Sequence, residues 1–308
     1  MYLLDTLIFI GIFAILALSL NLEYGFTGLG NFGKVAFFLI GAYTYALSIE
    51  TGLAFYFCLL LAGFLAGLGG LLVSLPALRL KEDYLAIVTL SFGEVLRIIV
   101  KAEHGLTQGV WGITVPNAFA EFSSTPRLLL GANFILVFLV LLLCFLFLQL
   151  IVNTPYGRVL RGIREDDLAV EALGKSKLKY KAQVFMLGSF MAGLSGGLFA
   201  QYMRFIDPYM FLPAVTFSVW IMVILGGPAN IKGAVLGSFL VELLNRGTRI
   251  AKDYLILPVD PNNLQYVLFG LIVILILLYR PQGILKESPV KTKAGDKIKE
   301  LLDLESKK

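Results

Sequence analysis

Residues Leu128–Val152 read LLLGANFILVFLVLLLCFLFLQLIV, a run of 25 residues without an Asp, Glu, Lys or Arg. A helix needs about 20 apolar residues to cross the hydrocarbon core of a bilayer, so this run predicts a transmembrane helix. The whole chain of 308 residues is 58% hydrophobic and 15% charged, whereas soluble domains average about 45–50% and 25%. We therefore expect an all-α polytopic membrane protein, which excludes a soluble enzyme and a nucleic-acid binder.

About nine apolar segments are candidates for transmembrane or re-entrant helices. Val35–Ile49 and Gly233–Leu244 are too short to cross comfortably and have glycine-rich flanks. Irregular backbone at membrane depth is tolerated only where protein or a water-filled cavity satisfies it, so these two segments hint at a solute pathway. The other segments are Tyr2–Leu20, Ala54–Leu75, Tyr84–Val100, Leu128–Val152, Ala182–Tyr202, Phe205–Leu225 and Leu264–Tyr279.

The basic residues predict the orientation of these segments. If nine segments alternate, 19 Lys and Arg fall on one side of the membrane and six on the other, with Arg97 inside a span. The 19 include Lys34, seven residues of 154–181 and eight of 280–308. Because cytoplasmic loops carry the excess of Lys and Arg, we expect the N-terminus outside and the C-terminus inside.

The residue types that carry chemistry are sparse. His104 is the single histidine, and the two cysteines, Cys58 and Cys144, lie in apolar runs. This pattern indicates no metal site, no catalytic residues and no cofactor. Residues 28–34, GLGNFGK, match the start of a phosphate loop, but they follow an apolar span, and Val35 stands where a Ser or Thr would hold Mg²⁺. We therefore expect no nucleotide site.

Residues 154–181 form the longest polar insertion between apolar segments. Thr154-Pro155 favours a helix start and Gly174 a helix end, so we expect a helix from Gly157 to Leu173. Such a charged helix indicates docking of a protein partner, and a solvated interfacial helix is the alternative. Three arginines lie on one broad face of it: Arg158, Arg161 and Arg164.

Residues 157–174, GRVLRGIREDDLAVEALG, resemble the "EAA" coupling loop of ABC importer permeases. More narrowly, the chain resembles the permease family of branched-chain amino acid importers, in particular its LivM type. The family commonly has Ser at the position of Asn31 and His at the position of Lys34. Other stretches resemble the family in the expected order: Tyr24–Gly28 with Ala36–Tyr43, Leu78–Glu94, Thr107–Gly112, Leu225–Gly237 and Arg280–Ile284.

The resemblance implies a non-catalytic permease subunit in a prokaryotic cell membrane. Its expected partners are a second permease of the LivH type, two cytoplasmic ATP-binding subunits and an extracytoplasmic solute-binding protein. Residues 1–285 would form the transmembrane permease domain, with 154–181 as the coupling loop, and 286–308 a cytoplasmic tail. The residues expected to couple to the ATPases are Arg158, Arg161, Arg164, Glu165, Asp166, Glu171, Ala172 and Gly174.

Polar residues within or next to the apolar segments are candidates for the translocation path. Glu94 and Arg97 lie three residues apart and can pair on one helix face, either as functional groups or as a structural pair. The full set is Thr27, Gly28, Asn31, Glu94, Arg97, Glu242 and Asn245. Two alternatives stay open: a permease of the same class for urea or short-chain amides, and a passive channel or secondary transporter.

Overall fold

The computed structural model describes residues 2–78, 80–119, 125–254, 267, 270–272, 274–276 and 278–287. In these residues α1 (Tyr2–Leu20) continues directly into a π-helix (Asn21–Gly25). The other long helices are α2 (Lys34–Glu50), α3 (Phe55–Ala77), α4 (Glu82–Ala102), α5 (Pro126–Asn153), α8 (Lys177–Met203), α9 (Pro213–Gly226) and α10 (Ile231–Tyr254). Two short helices, α6 (Pro155–Glu165) and α7 (Asp167–Ala172), connect α5 to α8. Short 3₁₀ turns cover Gly109–Trp111 and Pro208–Phe211, and β1 (Ile113–Thr114) pairs antiparallel with β2 (Phe205–Ile206).

The helices confirm the all-α class. Within the described residues, four are long and apolar enough to cross a membrane: Tyr2–Gly25, Phe55–Ala77, Pro126–Asn153 and Lys177–Met203. The number of nine segments and the orientation stay predictions. Part of the predicted segment Leu264–Tyr279, residues 288–308 of the predicted tail, and Arg79 among the counted basic residues lie outside the described residues.

Helices α2 and α8 pack backbone against backbone at the centre of the molecule. A Cβ on Gly196 of α8 would overlap the carbonyl oxygen of Phe38, and one on Gly41 of α2 would overlap that of Gly193. Small residues allow this close approach between apolar helices. The resulting contact buries most of α2, whereas α3 and α5 each carry several exposed leucines.

Two apolar segments differ from their predicted form. Phe205–Leu225 is not one continuous helix, because the Asp207 carboxylate accepts hydrogen bonds from the backbone N–H of Tyr209 (2.7 Å) and Met210 (3.1 Å) and starts a separate turn. The α-helix α9 begins only at Pro213. Conversely, the segment predicted as Gly233–Leu244 belongs to the 24 residues of α10, which are long enough to cross.

Contacts at the two ends of α1 show which parts of the chain share a side. Near its start, Oδ2 of Asp5 lies 3.5 Å from a guanidinium nitrogen of Arg246 on α10. Beyond its other end, the carbonyl of Gly25 accepts a hydrogen bond of 2.6 Å from Arg164 on α6. The connection formed by α6 and α7 therefore lies at the end of the molecule opposite the start of α1.

Candidate functional site

Glu23 in the π-helix and Lys34 at the start of α2 form a fully buried ion pair. Oε1 of Glu23 lies 2.6 Å from Nζ of Lys34, and both side chains are 0% exposed. The second carboxylate oxygen accepts a hydrogen bond of 2.9 Å from the Asn31 amide. An unpaired buried charge is strongly destabilising, so the charges of Glu23 and Lys34 stabilise each other.

Sequence reasoning missed Glu23 and counted Lys34 among the basic residues of the cytoplasmic side. In the structure the Lys34 ammonium group lies inside the protein against the Glu23 carboxylate, and the side of the membrane stays a prediction. One signal was available: Glu23 is a single acidic residue near the end of an apolar run, 11 positions before a lysine that follows a glycine-rich stretch.

Residues 28–33, which precede α2, are non-helical and lie within the helix bundle. The backbone N–H of Phe32 donates to Oγ1 of Thr89 (3.1 Å), and that of Val35 donates to Oγ1 of Thr216 (3.0 Å). Thr89 is seven residues into α4, which corresponds to roughly 10 Å at 1.5 Å per residue. Protein hydroxyls therefore satisfy one backbone N–H of the non-helical segment and one in the first turn of α2.

Three of the predicted path residues meet in this segment. Thr27 donates its hydroxyl to the backbone carbonyl of Glu23, and Asn31 contacts the Glu23 carboxylate. The Asn31 amide oxygen also accepts from the N–H of Gly33 at 2.9 Å. Gly28 has φ +73°, a conformation that favours glycine. The three residues thus shape the turn around the buried ion pair.

The other path candidates lie on two different helices. On α4, Nε of Arg97 donates to Oε2 of Glu94 at 3.0 Å, so the expected contact between them is present. On α10, Asn245 donates to Oε1 of Glu242 at 3.1 Å. The seven candidates therefore form three groups, on α4, on α10 and around Glu23.

The predicted coupling helix is two helices. At Asp166 φ is −155°, and its carboxylate accepts from the N–H groups of Leu168 (3.0 Å) and Ala169 (3.1 Å). The expectation of one helix from Gly157 to Leu173 is wrong because Asp166 caps a second helix, as a side chain at the N-cap commonly does. Glu165 and Asp166 are exposed at this bend.

Helix α7 ends at Gly174 as the sequence predicts. Gly174 has φ +75°, its N–H donates to the carbonyl of Glu171 (2.9 Å), and the N–H of Lys175 donates to that of Val170 (3.3 Å). This is the Schellman arrangement, in which a left-handed glycine closes a helix. The exposed residues at this end include Glu171, Ala172 and Gly174.

Asp167 ties α7 to the start of α8. Its carboxylate lies 3.1 Å from Nζ of Lys177 and 3.6 Å from Nζ of Lys181. The hydrogen bond from Lys177 holds the pKa of the Asp167 carboxyl below its usual value. The apolar side chains of Leu168 and Leu173 are 68% and 78% exposed. α7 therefore presents two leucines from a position anchored on α8.

The three arginines do not share one exposed face. Arg158 is exposed, whereas Arg161 and Arg164 lie against the end of α1 and contact Glu287. The Arg161 guanidinium lies 5.4 Å from the ring centroid of Phe26, within the range of a cation–π contact. Of the three, Arg158 is therefore the arginine whose side chain is exposed to a partner.

Comparisons with known proteins agree with the resemblance. The profile of the family described as "Branched-chain amino acid transport system / permease component" matches residues 2–277. The chain belongs to this family. It is of the LivM type, as expected from the sequence. No solved structure matches the chain.

Curated relatives match over most of the chain. The probable branched-chain amino acid transport permease protein LivM of Methanocaldococcus jannaschii is 32% identical, over 93% of this chain and 94% of that protein. The high-affinity branched-chain amino acid transport system permease protein LivM of Escherichia coli is 34% identical, over 89% of this chain and 68% of that protein. The LivH permease of Escherichia coli is 25% identical, over 89% of this chain and 91% of that protein. The chain is therefore a membrane-embedded permease component.

Proposed function

We propose that this chain is one of two permease subunits of an ATP-driven importer for branched-chain amino acids. The proposal rests on helix α7, which is exposed and follows α6 in the connection between α5 and α8. A permease without ATPase machinery needs a surface where an ATPase attaches. In this proposal 154–181 faces the cytoplasm of a prokaryotic cell, the N-terminus lies outside, and the chain itself catalyses no reaction.

Helix α7 supplies the contact with the ATP-binding subunits. Leu168 and Leu173 are mostly exposed, and the carboxylate of Glu171 lies between them in the sequence. Exposed apolar residues surrounded by polar ones are typical of protein–protein interfaces. Because Asp167 anchors α7 to α8, a push on α7 would move α8, and rigid movement of packed helices is an established way to transmit such a change.

The segment around Glu23 supports a role in the solute path. Non-helical backbone inside a helix bundle, a π-helix and a buried ion pair occur together here, and each is enriched at functional sites of membrane proteins. In this proposal the second permease, of the LivH type, completes the path, and an extracytoplasmic binding protein delivers the solute. Leucine, isoleucine or valine is the proposed solute.

Co-purification tests the docking part of the proposal. The chain is co-expressed with its second permease and ATP-binding subunits, and an affinity tag on this chain is used for purification. We expect the ATP-binding subunits in the eluate, and their loss when Leu168 and Leu173 are both changed to Asp. Leu178→Asp is the matched control, because Leu178 is also exposed but lies on α8 beyond α7. Retention of the ATP-binding subunits by the Leu168/Leu173 double variant would contradict docking on α7.

A further inference from the structure

Residues 282–287, which we name the C-terminal brace, are attached to the last residues of α9 and to the turn between α9 and α10. Two backbone hydrogen bonds join them, from Ile284 N to the Leu225 carbonyl (2.9 Å) and from Leu285 N to the Gly226 carbonyl (3.0 Å). The side-chain amide of Asn230 adds a bond of 2.7 Å to the carbonyl of Lys286. The brace therefore has a defined position on this turn.

Two glycines bring the brace and the turn into direct backbone contact. Gly227 has φ +114°, and a Cβ there would overlap the carbonyl oxygen of Leu285. Gly283 has φ +70°, and a Cβ there would overlap Cα of Gly227. Side chains at either position would push the brace away, so the two segments are built to stay together.

The brace ends at Glu287, whose carboxylate contacts two arginines of α6. Oε1 lies 3.1 Å from Nε of Arg161, and Oε2 lies 2.8 Å from a guanidinium nitrogen of Arg164. The Glu287 side chain is 32% exposed. The contact with Arg164 is a hydrogen bond between charged groups, which is stronger than one between neutral groups. Glu287 therefore joins α6 to the turn between α9 and α10.

The same turn contacts the π-helix that carries Glu23. The side-chain amide of Asn21 donates to the carbonyl of Asn230 (3.0 Å) and accepts from the N–H of Ala229 (2.9 Å). A continuous series of contacts thus runs from α6 through Glu287 and the α9–α10 turn to the helix end beside the buried ion pair. Such contiguous contacts are the physical means by which coupling is carried between sites.

We propose that Glu287 is a positioning residue for energy coupling: it makes α6 and the α9–α10 turn move as one unit when the ATP-binding subunits close. This inference rests on the proposed function, since it concerns how that coupling reaches the membrane helices. It gives Glu287, which the sequence analysis placed in the cytoplasmic tail, a role in transport. It also explains why Arg161 and Arg164 face inward.

The test compares leucine uptake with ATP hydrolysis in proteoliposomes that contain the complete importer. Glu287→Gln keeps the shape of the side chain but removes its charge. We expect the leucine transported per ATP hydrolysed to fall roughly fivefold or more, the lower range of measured coupling effects. Glu287→Asp should recover part of the loss. Lys286→Gln is the matched control, since its exposed side chain is next in sequence and its contact to Asn230 uses only the backbone.

A crosslink tests the same inference where Glu287→Gln fails to assemble. The variant carrying Arg161→Cys and Glu287→Cys lacks the ion pair, so it should be uncoupled until a short, reducible bifunctional thiol reagent joins the two cysteines. Coupling should then return, and reduction should abolish it again. If Glu287→Gln transported as much leucine per ATP hydrolysed as the parental importer, the role of Glu287 would be wrong. Failure of the crosslink to restore coupling would also overturn it. Absence of leucine-stimulated hydrolysis in the parental importer would instead contradict the proposed function.

Discussion

Gly188 of α8 lies directly against the carboxylate of Glu23, and a Cβ at position 188 would overlap Oε1 of that carboxylate. The glycine gives the buried ion pair its space, because the pair lies between the end of α1 and the face of α8. The packing of α8 and the burial of the ion pair therefore depend on the same residue. The small residue on α8 is needed for the ion pair as well as for helix contact.

Changing Gly188 to Ala should displace Glu23. The added methyl group has no space unless the carboxylate moves away from Lys34, and overpacking a tight site costs about 1–3 kcal/mol. We expect a lower thermal unfolding midpoint in detergent and reduced leucine uptake. Gly93→Ala is the control, because the nearest atom to a Cβ there is 3.7 Å away. Equal unfolding midpoints of the Gly188→Ala and Gly93→Ala variants would show that the Glu23 carboxylate can accommodate the added methyl group.

Glu23 and Lys34 should be strongly coupled in a double-mutant cycle. Glu23→Gln or Lys34→Met alone leaves one buried charge without its partner, which costs about 3–5 kcal/mol. The double change removes both charges and should be less harmful than the sum of the two. The unfolding free energy in detergent measures this coupling, and additive losses would show that the pair does not interact.

The Glu94–Arg97 pair provides a comparison within the same chain. It contains the same kinds of charge on α4, but the Glu94 side chain is 36% exposed and that of Arg97 is 13% exposed. Single Ala changes should still harm transport more than the double change. We expect a smaller coupling energy than at Glu23 and Lys34, because partial exposure lowers the cost of leaving one charge unpaired. A larger coupling energy at Glu94 and Arg97 would contradict this order.

Replacing Gly174 by Val should separate folding from coupling. The left-handed conformation carries a penalty of roughly 1–2 kcal/mol for residues other than glycine, and it is worse for a β-branched side chain. We expect an inserted protein in which leucine uptake and leucine-stimulated ATP hydrolysis fall together, because α7 ends in a different direction. Gly131→Val is the control: a Cβ has open space at both glycines, but only Gly174 has positive φ. Parental transport by Gly174→Val would contradict the coupling role.

Cysteine labelling tests the orientation. Ser176→Cys should react with a membrane-impermeant maleimide only from the cytoplasmic side. Glu103→Cys, which follows the C-terminal end of α4, should react only from outside. The native cysteines, Cys58 and Cys144, are buried and should give little background. Labelling of position 176 from outside in intact cells would contradict the N-out orientation.

Local patterns predicted the parts of the fold that depend on local physics. Hydrophobic run length identified α5, and the glycine rule identified the end of α7 at Gly174. The break at Asp166 was missed because Asp is also acceptable inside a charged helix, and only its bonds to Leu168 and Ala169 show that it caps a new one.

Features that depend on distant contacts could not be read from the sequence. Lys34 looks like a loop lysine until Glu23 is placed beside it, and Arg161 and Arg164 look like a docking face until Glu287 is placed against them. The partner in the second case is more than 120 positions away in the chain. Charge patterns indicate that such residues pair, but the tertiary structure decides with which group.

Transport by the reconstituted importer tests the proposed function. The chain, its second permease, the ATP-binding subunits and the binding protein are placed in proteoliposomes, and uptake of labelled leucine is measured with and without ATP. We predict leucine uptake against its gradient that requires both ATP and the binding protein, and no stimulation of hydrolysis by urea or acetamide. Uptake without ATP, or hydrolysis stimulated by urea or acetamide but not by leucine, would contradict ATP-driven import of branched-chain amino acids by this protein.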